Sequence, residues 1–166
     1  MLGDGALTAL IKLSSILADV LTAWLIAWAL RRQGSVRHIL ACGLYAFNPA
    51  VWYVSTHWGQ TDSVYTLFLV ASVVALAQSA IPFAWLVYTL ALGTKIQSIA
   101  LAPLLVVVTL VRYGVRGLAG GLIVSTVTGT LLAAPWLITG HLSDALRASI
   151  GFLNHLWSGP TPIEFN

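Results

Sequence analysis

Between Val64 and Ala80 the chain carries no charged residue, and the stretches on either side are nearly as free of charge. A helix that is apolar all round has no face to turn to water, whereas a hydrocarbon layer about 30 Å thick calls for roughly 20 such residues per crossing. The whole chain follows this pattern. Of its 166 residues 58% are hydrophobic and only 8% charged, where a soluble domain carries about 25% charge. The expected fold class is therefore all-α: a polytopic transmembrane helix bundle, occupying residues 1–166 as a single membrane domain. The length allows about five or six crossings and leaves no room for a folded extramembrane domain.

The positions of the charges give the orientation. Arg31, Arg32 and Arg37 share one short polar connection and Arg112 and Arg116 another, while Asp4, Asp62, Asp144 and Glu164 fall in the opposite set of loops. Basic loops stay on the cytoplasmic side, so the first span starts outside. Spans are expected over residues 6–30, 39–55 and 64–80, with 82–94 and 96–111 as a hairpin and 118–138 last. One continuous span from Pro82 to Val111 would put Arg112 and Arg116 outside, so a hairpin of two short helices turning at Gly93 to Lys95 is preferred. Its irregular backbone must then be buried in protein or face a watery cavity. Pro49 lies near the external end of the second span, where few backbone bonds remain to be lost. In the tail, Leu142, Leu146, Ile150 and Leu153 recur at spacings of three and four, which reads as an amphipathic interfacial helix over residues 141–153.

Several polar residues are not explained by burial in lipid. Lys12 and Asp19 are seven residues apart and share nearly one helix face, with Ser15 between them. Intramembrane charge costs at least ~2.5 kcal/mol per residue, so these groups either face a cavity or serve structure, Lys12 by snorkelling and Asp19 by pairing with another helix. At the external boundary His57, Trp58, Gln60 and Asp62 gather an imidazole, an indole, an amide and a carboxylate within two turns. Such a set can hold a sugar, since aromatic faces stack on its C–H surface while amide and carboxylate bond its hydroxyls. Equally, Asp62 can cap the third span and Trp58 can join an aromatic belt. Lys95 and Gln97, at the hairpin tip, are expected at the same external face. There an ammonium in low dielectric would neutralise a phosphate, unless it merely snorkels to the surface.

Other chemistries find no support. There is no P-loop, G-x-G-x-x-G, H-E-x-x-H or nucleophile-elbow pattern, so no cofactor is expected. His57 with Asp62 is too small a ligand set for a metal, the single Cys42 excludes an internal disulfide, and nothing suggests nucleic acid.

The strings Asn48 Pro49 Ala50 Val51, Trp58 Gly59 Gln60 Thr61 Asp62 Ser63, Thr94 Lys95 Ile96 Gln97 and Leu101 Ala102 Pro103 Leu104 occur in that order. In this the chain resembles polytopic glycosyltransferases of the GT-C fold, in particular bacterial mannosyltransferases related to the second mannosyltransferase of GPI-anchor synthesis. It is also similar to the dolichyl-phosphate-glucose glucosyltransferases of asparagine-linked glycosylation. Those carry Asn-Pro, then a His-Phe-Gln-Tyr-Asn motif, then Lys-Gln-Met before an apolar segment ending in Pro. The likeness covers about Lys12 to Pro103.

What the resemblance implies is an enzyme of the bacterial plasma membrane. It would transfer a hexose, mannose or glucose, from a polyprenyl-phosphate sugar to an extracytoplasmic acceptor with inversion. Its partners would be the lipid-linked donor, the acceptor and membrane lipid. On that likeness Lys95 and His57 would sit near phosphate, and Gln60, Asp62 and Trp58 would shape the sugar pocket. The family's catalytic aspartate belongs to a first external loop, upstream of a segment like Ala6 to Leu30, so the chain is expected to be a fragment and Asp4 is not taken as the base. A transporter or lipid-translocating protein, and a noncatalytic membrane subunit whose polar residues only join helices, remain the alternatives.

Overall fold

The first helix, α1 (Asp4–Leu30), turns its small residues inward and its large ones outward. Ser15, Ala18, Thr22 and Ala23 form its buried stripe, while Leu13, Leu17, Val20, Leu21 and Trp24 are exposed. This inverts the distribution of a soluble helix. It suits a lipid solvent, in which no hydrophobic force joins helices and small side chains let backbones approach. The Thr22 hydroxyl donates to the Ala18 carbonyl at 2.7 Å, so the buried oxygen needs no water.

This computed structural model describes residues 4–53 and 62–141, and every regular element among them is helical. By their contacts the residues divide into two units, 1–129 and 130–166. In the first unit α1 runs through a 3₁₀ turn (Arg31–Gln33) and Gly34, at φ 109°, into α2 (Ser35–Ala46), which packs back on α1. The expected second span over 39–55 is broken. Helix α2 ends at Ala46, and α3 (Pro49–Trp52) starts afresh with Pro49 in its first turn and the Asn48 side chain accepting from the Ala50 N–H at 2.9 Å. Proline lacks the N–H and pushes its predecessor out of the helical region, so beginning a helix there is cheaper than running one through it.

Helices α4 (Asp62–Ala77) and α5 (Ile81–Thr94) form a tight pair. The turn between them closes with Ser79 N–H to the Leu76 carbonyl at 3.2 Å and Ala80 N–H to the Ala75 carbonyl at 2.9 Å, and Ser79 stands at φ 65°. This is the Schellman arrangement with serine in the usual glycine place. Ala75, Leu76, Ala84, Trp85, Tyr88 and Leu105 make the core. Inside it the Ser72 hydroxyl donates to the Ala84 carbonyl at 2.9 Å, joining α4 to α5.

After Lys95 a 3₁₀ segment (Ile96–Leu101) leads into α6 (Ala102–Ile138). The stretch Ile96–Ile138 is 43 residues long, and a straight helix of that length would extend about 65 Å, twice a bilayer core. Gly114 resolves the excess, because at φ 67° and ψ −171° it is non-helical and the chain doubles back there. Trp85 shows this directly. Its indole N–H donates to Thr109 Oγ1 at 3.2 Å, and its ring also lies against Gly121. Those two positions would be about 18 Å apart on one straight helix.

The two limbs of α6 therefore pass α5 in opposite senses. Before Gly114, Tyr113 bonds Ser79 at 2.8 Å and Thr109 meets Trp85, an antiparallel register. After it, Gly117 lies beside Ile81, Gly121 against Trp85, and Ser125 in a 2.8 Å hydrogen bond with Thr89, a parallel one. The expected connection over residues 112–117 thus shrinks to one glycine, with Arg112 and Arg116 on the helical flanks of the reversal. The expected helix over 96–111 begins as a 3₁₀ segment instead.

In the second unit α6 ends at Ile138, and Gly140 at φ 73° lets the His141 N–H reach the Trp136 carbonyl at 3.0 Å. The proposed amphipathic helix over 141–153 lies outside the described residues from 142 onward. Among the described residues, Lys12–Leu30 and Ile96–Ile138 are the stretches long and apolar enough to cross a membrane.

Candidate functional site

Asp62 occupies the first turn of α4, where a carboxylate is favoured by the N-terminal end of the helix dipole. Thr66 sits one turn on and donates its hydroxyl to the Asp62 carbonyl at 2.7 Å. Lys95 stands just beyond α5 in an extended conformation, φ −153° and ψ 123°. Although separated by 33 positions, the Lys95 ammonium and Asp62 Oδ1 form an ion pair. The ammonium also lies 5.3 Å from the Tyr65 ring centroid, within cation–π range. About 30% of the lysine side chain and 27% of the aspartate remain accessible, so the pair is half-buried and reachable from a cavity.

At the break that frees Lys95 from its helix, carbonyls of the last turns of α5 gain side-chain donors. The Lys95 N–H donates to the Ala91 carbonyl at 2.9 Å and the fully buried Ser98 hydroxyl to the same oxygen at 3.0 Å. Thr94 donates to the Leu90 carbonyl at 2.9 Å.

Beside the ion pair is a cavity of about 250 Å³ lined by Asp62, Tyr65 and Thr66 of α4, Asp19 of α1, Tyr45 of α2, and Ala50 and Val51 of α3. The Asn48–Pro49 break therefore has a consequence for the site, since it brings α3 to the cavity wall. The Tyr45 hydroxyl donates to Asp19 Oδ1 at 2.9 Å, so both carboxylates of the cavity are held by a named donor. Asp19, Tyr45 and Val51 also line a groove of about 670 Å³ between α1, α2 and α3, which is otherwise apolar and includes Trp24, Ala27 and Trp52. The two cavities thus share Asp19, Tyr45 and Val51 in their walls.

Of the residues expected from sequence, Asp62 and Lys95 meet, and Asp62 and Asp19 line the cavity while Lys95 stands behind Asp62 outside its lining. Gln97 is exposed on the 3₁₀ segment and does not line the cavity. Lys12 is half-buried on α1, two turns from Asp19, and has no ion-pair partner among the described residues. His57, Trp58 and Gln60 lie outside the described residues. Tyr45 and Tyr65 were not expected. Tyr65 could have been found from its position three residues after Asp62 on one helix face, but Tyr45 offers no local signal. No group of three or more His, Cys, Asp or Glu side chains able to hold a metal occurs among the described residues.

A sequence model of the ALG3 protein family matches residues 60–154, more than half of the chain and including both Asp62 and Lys95. The chain belongs to the ALG3 protein family. The ALG3 family is one of membrane-embedded mannosyltransferases that draw on dolichyl-phosphate mannose, a lipid-linked sugar donor. The inverted residue distribution of α1 accords with that membrane setting. No curated protein and no solved structure matches the chain.

Proposed function

We propose that this ALG3-family chain is the membrane domain, or part of it, of a GT-C-type mannosyltransferase of the bacterial plasma membrane. It would move a mannosyl group from a polyprenyl-phosphate carrier to an acceptor on the extracytoplasmic side. The observation that carries this reading is the ion pair of Lys95 with Asp62, a cavity-lining carboxylate, inside the segment that matches the family. In the transfer the acceptor oxygen attacks the anomeric carbon, the bond from that carbon to the phosphate oxygen breaks, and the carrier phosphate keeps the electron pair. The acceptor gives up its proton to a base.

Lys95 is suited to the phosphate. Held by Asp62 and Tyr65 before the donor arrives, its ammonium is positioned where negative charge grows on the leaving oxygen. Asp62 then accepts from sugar hydroxyls, with His57, Trp58 and Gln60 contributing around the sugar, while Asp19 lines the approach. The apolar groove beside the cavity suits the carrier chain. The single domain would cross the membrane six times, α1 and α4 running the same way and the limbs of α6 supplying the last two passes.

A transporter would need its charges near the midplane of the bundle. The Asp62–Lys95 pair instead lies at the ends of α4 and α5 remote from the turn at Gln78 to Ala80. The test is transfer of radiolabelled mannose from polyprenyl phosphate by the full-length enzyme in vesicles. Lys95→Met and Asp62→Asn should each lower the rate by about 100-fold or more, the scale expected when a preorganised electrostatic group is lost. Undiminished transfer in both variants would remove the site.

A further inference from the structure

The opposite end of the same unit carries a polar cavity, of about 420 Å³, between the end of α1 and the start of the α4–α5 turn. Trp28, Arg31 and Arg32 line it on one side and Ala77 and Gln78 on the other. The Arg31 guanidinium lies 5.1 Å from the Trp28 ring centroid, a cation–π contact that steadies the side chain without using its N–H groups. Neither arginine has a carboxylate partner among the described residues, because Asp62 is taken by Lys95 and Asp19 by Tyr45 at the other end. Two adjacent guanidiniums thus face a cavity with their donors unspent.

We propose that this cavity binds a phosphate-bearing anion, held by the forks of Arg31 and Arg32 with Gln78 as a further donor. The guanidinium fork matches phosphate oxygens in pairs. The attraction comes from the side chains alone, since the C-terminal end of α1 is the negative end of its dipole and by itself repels an anion. Space is sufficient. One liquid water occupies about 30 Å³, so 420 Å³ accommodates a phosphodiester with its first hydration shell. The setting supplies two sources, a free phosphate from the aqueous side or the headgroup of an acidic phospholipid. Basic pockets between helices at the cytoplasmic boundary favour such headgroups, and exposed Val36, Ile39, Leu40 and Phe83 nearby in the chain offer apolar surface for acyl chains.

Native mass spectrometry of the full chain released from nanodiscs, with phosphatidylglycerol against phosphatidylcholine, reads the lipid arm, and calorimetric titration with inorganic phosphate reads the soluble one. Phosphatidylglycerol should be retained about tenfold over phosphatidylcholine, equivalent to ~1.4 kcal/mol. Arg31→Lys with Arg32→Lys keeps both charges, and so the membrane orientation, but should lose about half of that preference in free energy because an ammonium cannot form the fork. Arg31→Gln with Arg32→Gln should abolish it. Phosphate binding without lipid preference, lost in the same variants, assigns the site to a soluble anion. Equal retention of the two lipids with no phosphate binding, or wild-type behaviour in the glutamine pair, overturns the proposal.

Discussion

The two polar ends of the first unit treat charge in opposite ways. At one end Lys95 and Asp62 neutralise each other, half-buried beside a cavity that Asp19 and Tyr45 complete. At the other, Arg31 and Arg32 face a cavity of their own with no carboxylate among the described residues. Helix length bears on the difference. Helix α4 has 16 residues and α5 has 14, about 24 and 21 Å, each shorter than a bilayer core of about 30 Å. If their common turn lies at the membrane boundary with Arg31 and Arg32, their far ends stop short of the other boundary, and charges there must be paired. Arginines at the boundary itself stay hydrated and can wait for a ligand.

The comparison breaks most severely if the paired end loses one member. Lys95→Met or Asp62→Asn should destabilise the unit by about 1–3 kcal/mol, less than a fully buried pair would cost because both side chains keep some solvent. Thermal unfolding in detergent would show it, and exchanging the two residues should restore stability while transfer stays lost. Next in size is the reversal that brings the second limb of α6 back along α5. Gly114 occupies a backbone region essentially closed to other residues, so Gly114→Ala should cost about 1–3 kcal/mol. Cross-linking of cysteines placed at positions 89 and 125 would report whether the second limb has left α5.

A smaller effect sharpens the account of the paired end. Tyr45→Phe removes the donor to Asp19 and should cost about 1 kcal/mol in unfolding. If Asp19 only joins helices, mannosyl transfer will change no more than stability does; if it lines a working cavity, the apparent KM for the donor should rise as well. The smallest effect belongs to the unpaired end. Arg31→Gln should alter stability by no more than about 0.5 kcal/mol, as expected for an exposed side chain without an ion pair. A loss there comparable to that of Lys95→Met would erase the distinction between the two ends.

Much of this arrangement is legible in the residues. Uncharged runs announce the helices, Arg31 and Arg32 mark where α1 stops, and Gly93 to Lys95 mark the turn after α5. Alternating direction then brings Asp62 and Lys95 to one end, as parity alone would require. The break at Asn48 and Pro49 was readable from proline's missing N–H, yet a single span was the expectation, because proline near a helix end is also tolerated. The compression of the 112–117 connection into Gly114 could not be read, since Gly117 in the same connection is equally able to carry a turn.

Sequence by itself determined most of the helical segments and their apolar character. These depend on desolvation and backbone preference, which act residue by residue. Tertiary structure alone decided that Tyr45 meets Asp19, that Tyr65 lies under Lys95, and that Trp85 touches both limbs of α6. Those contacts depend on how each helix is rotated about its axis. Helices apolar all round carry no face signal to set that rotation in lipid, so the fit of small residues against large ones sets it instead.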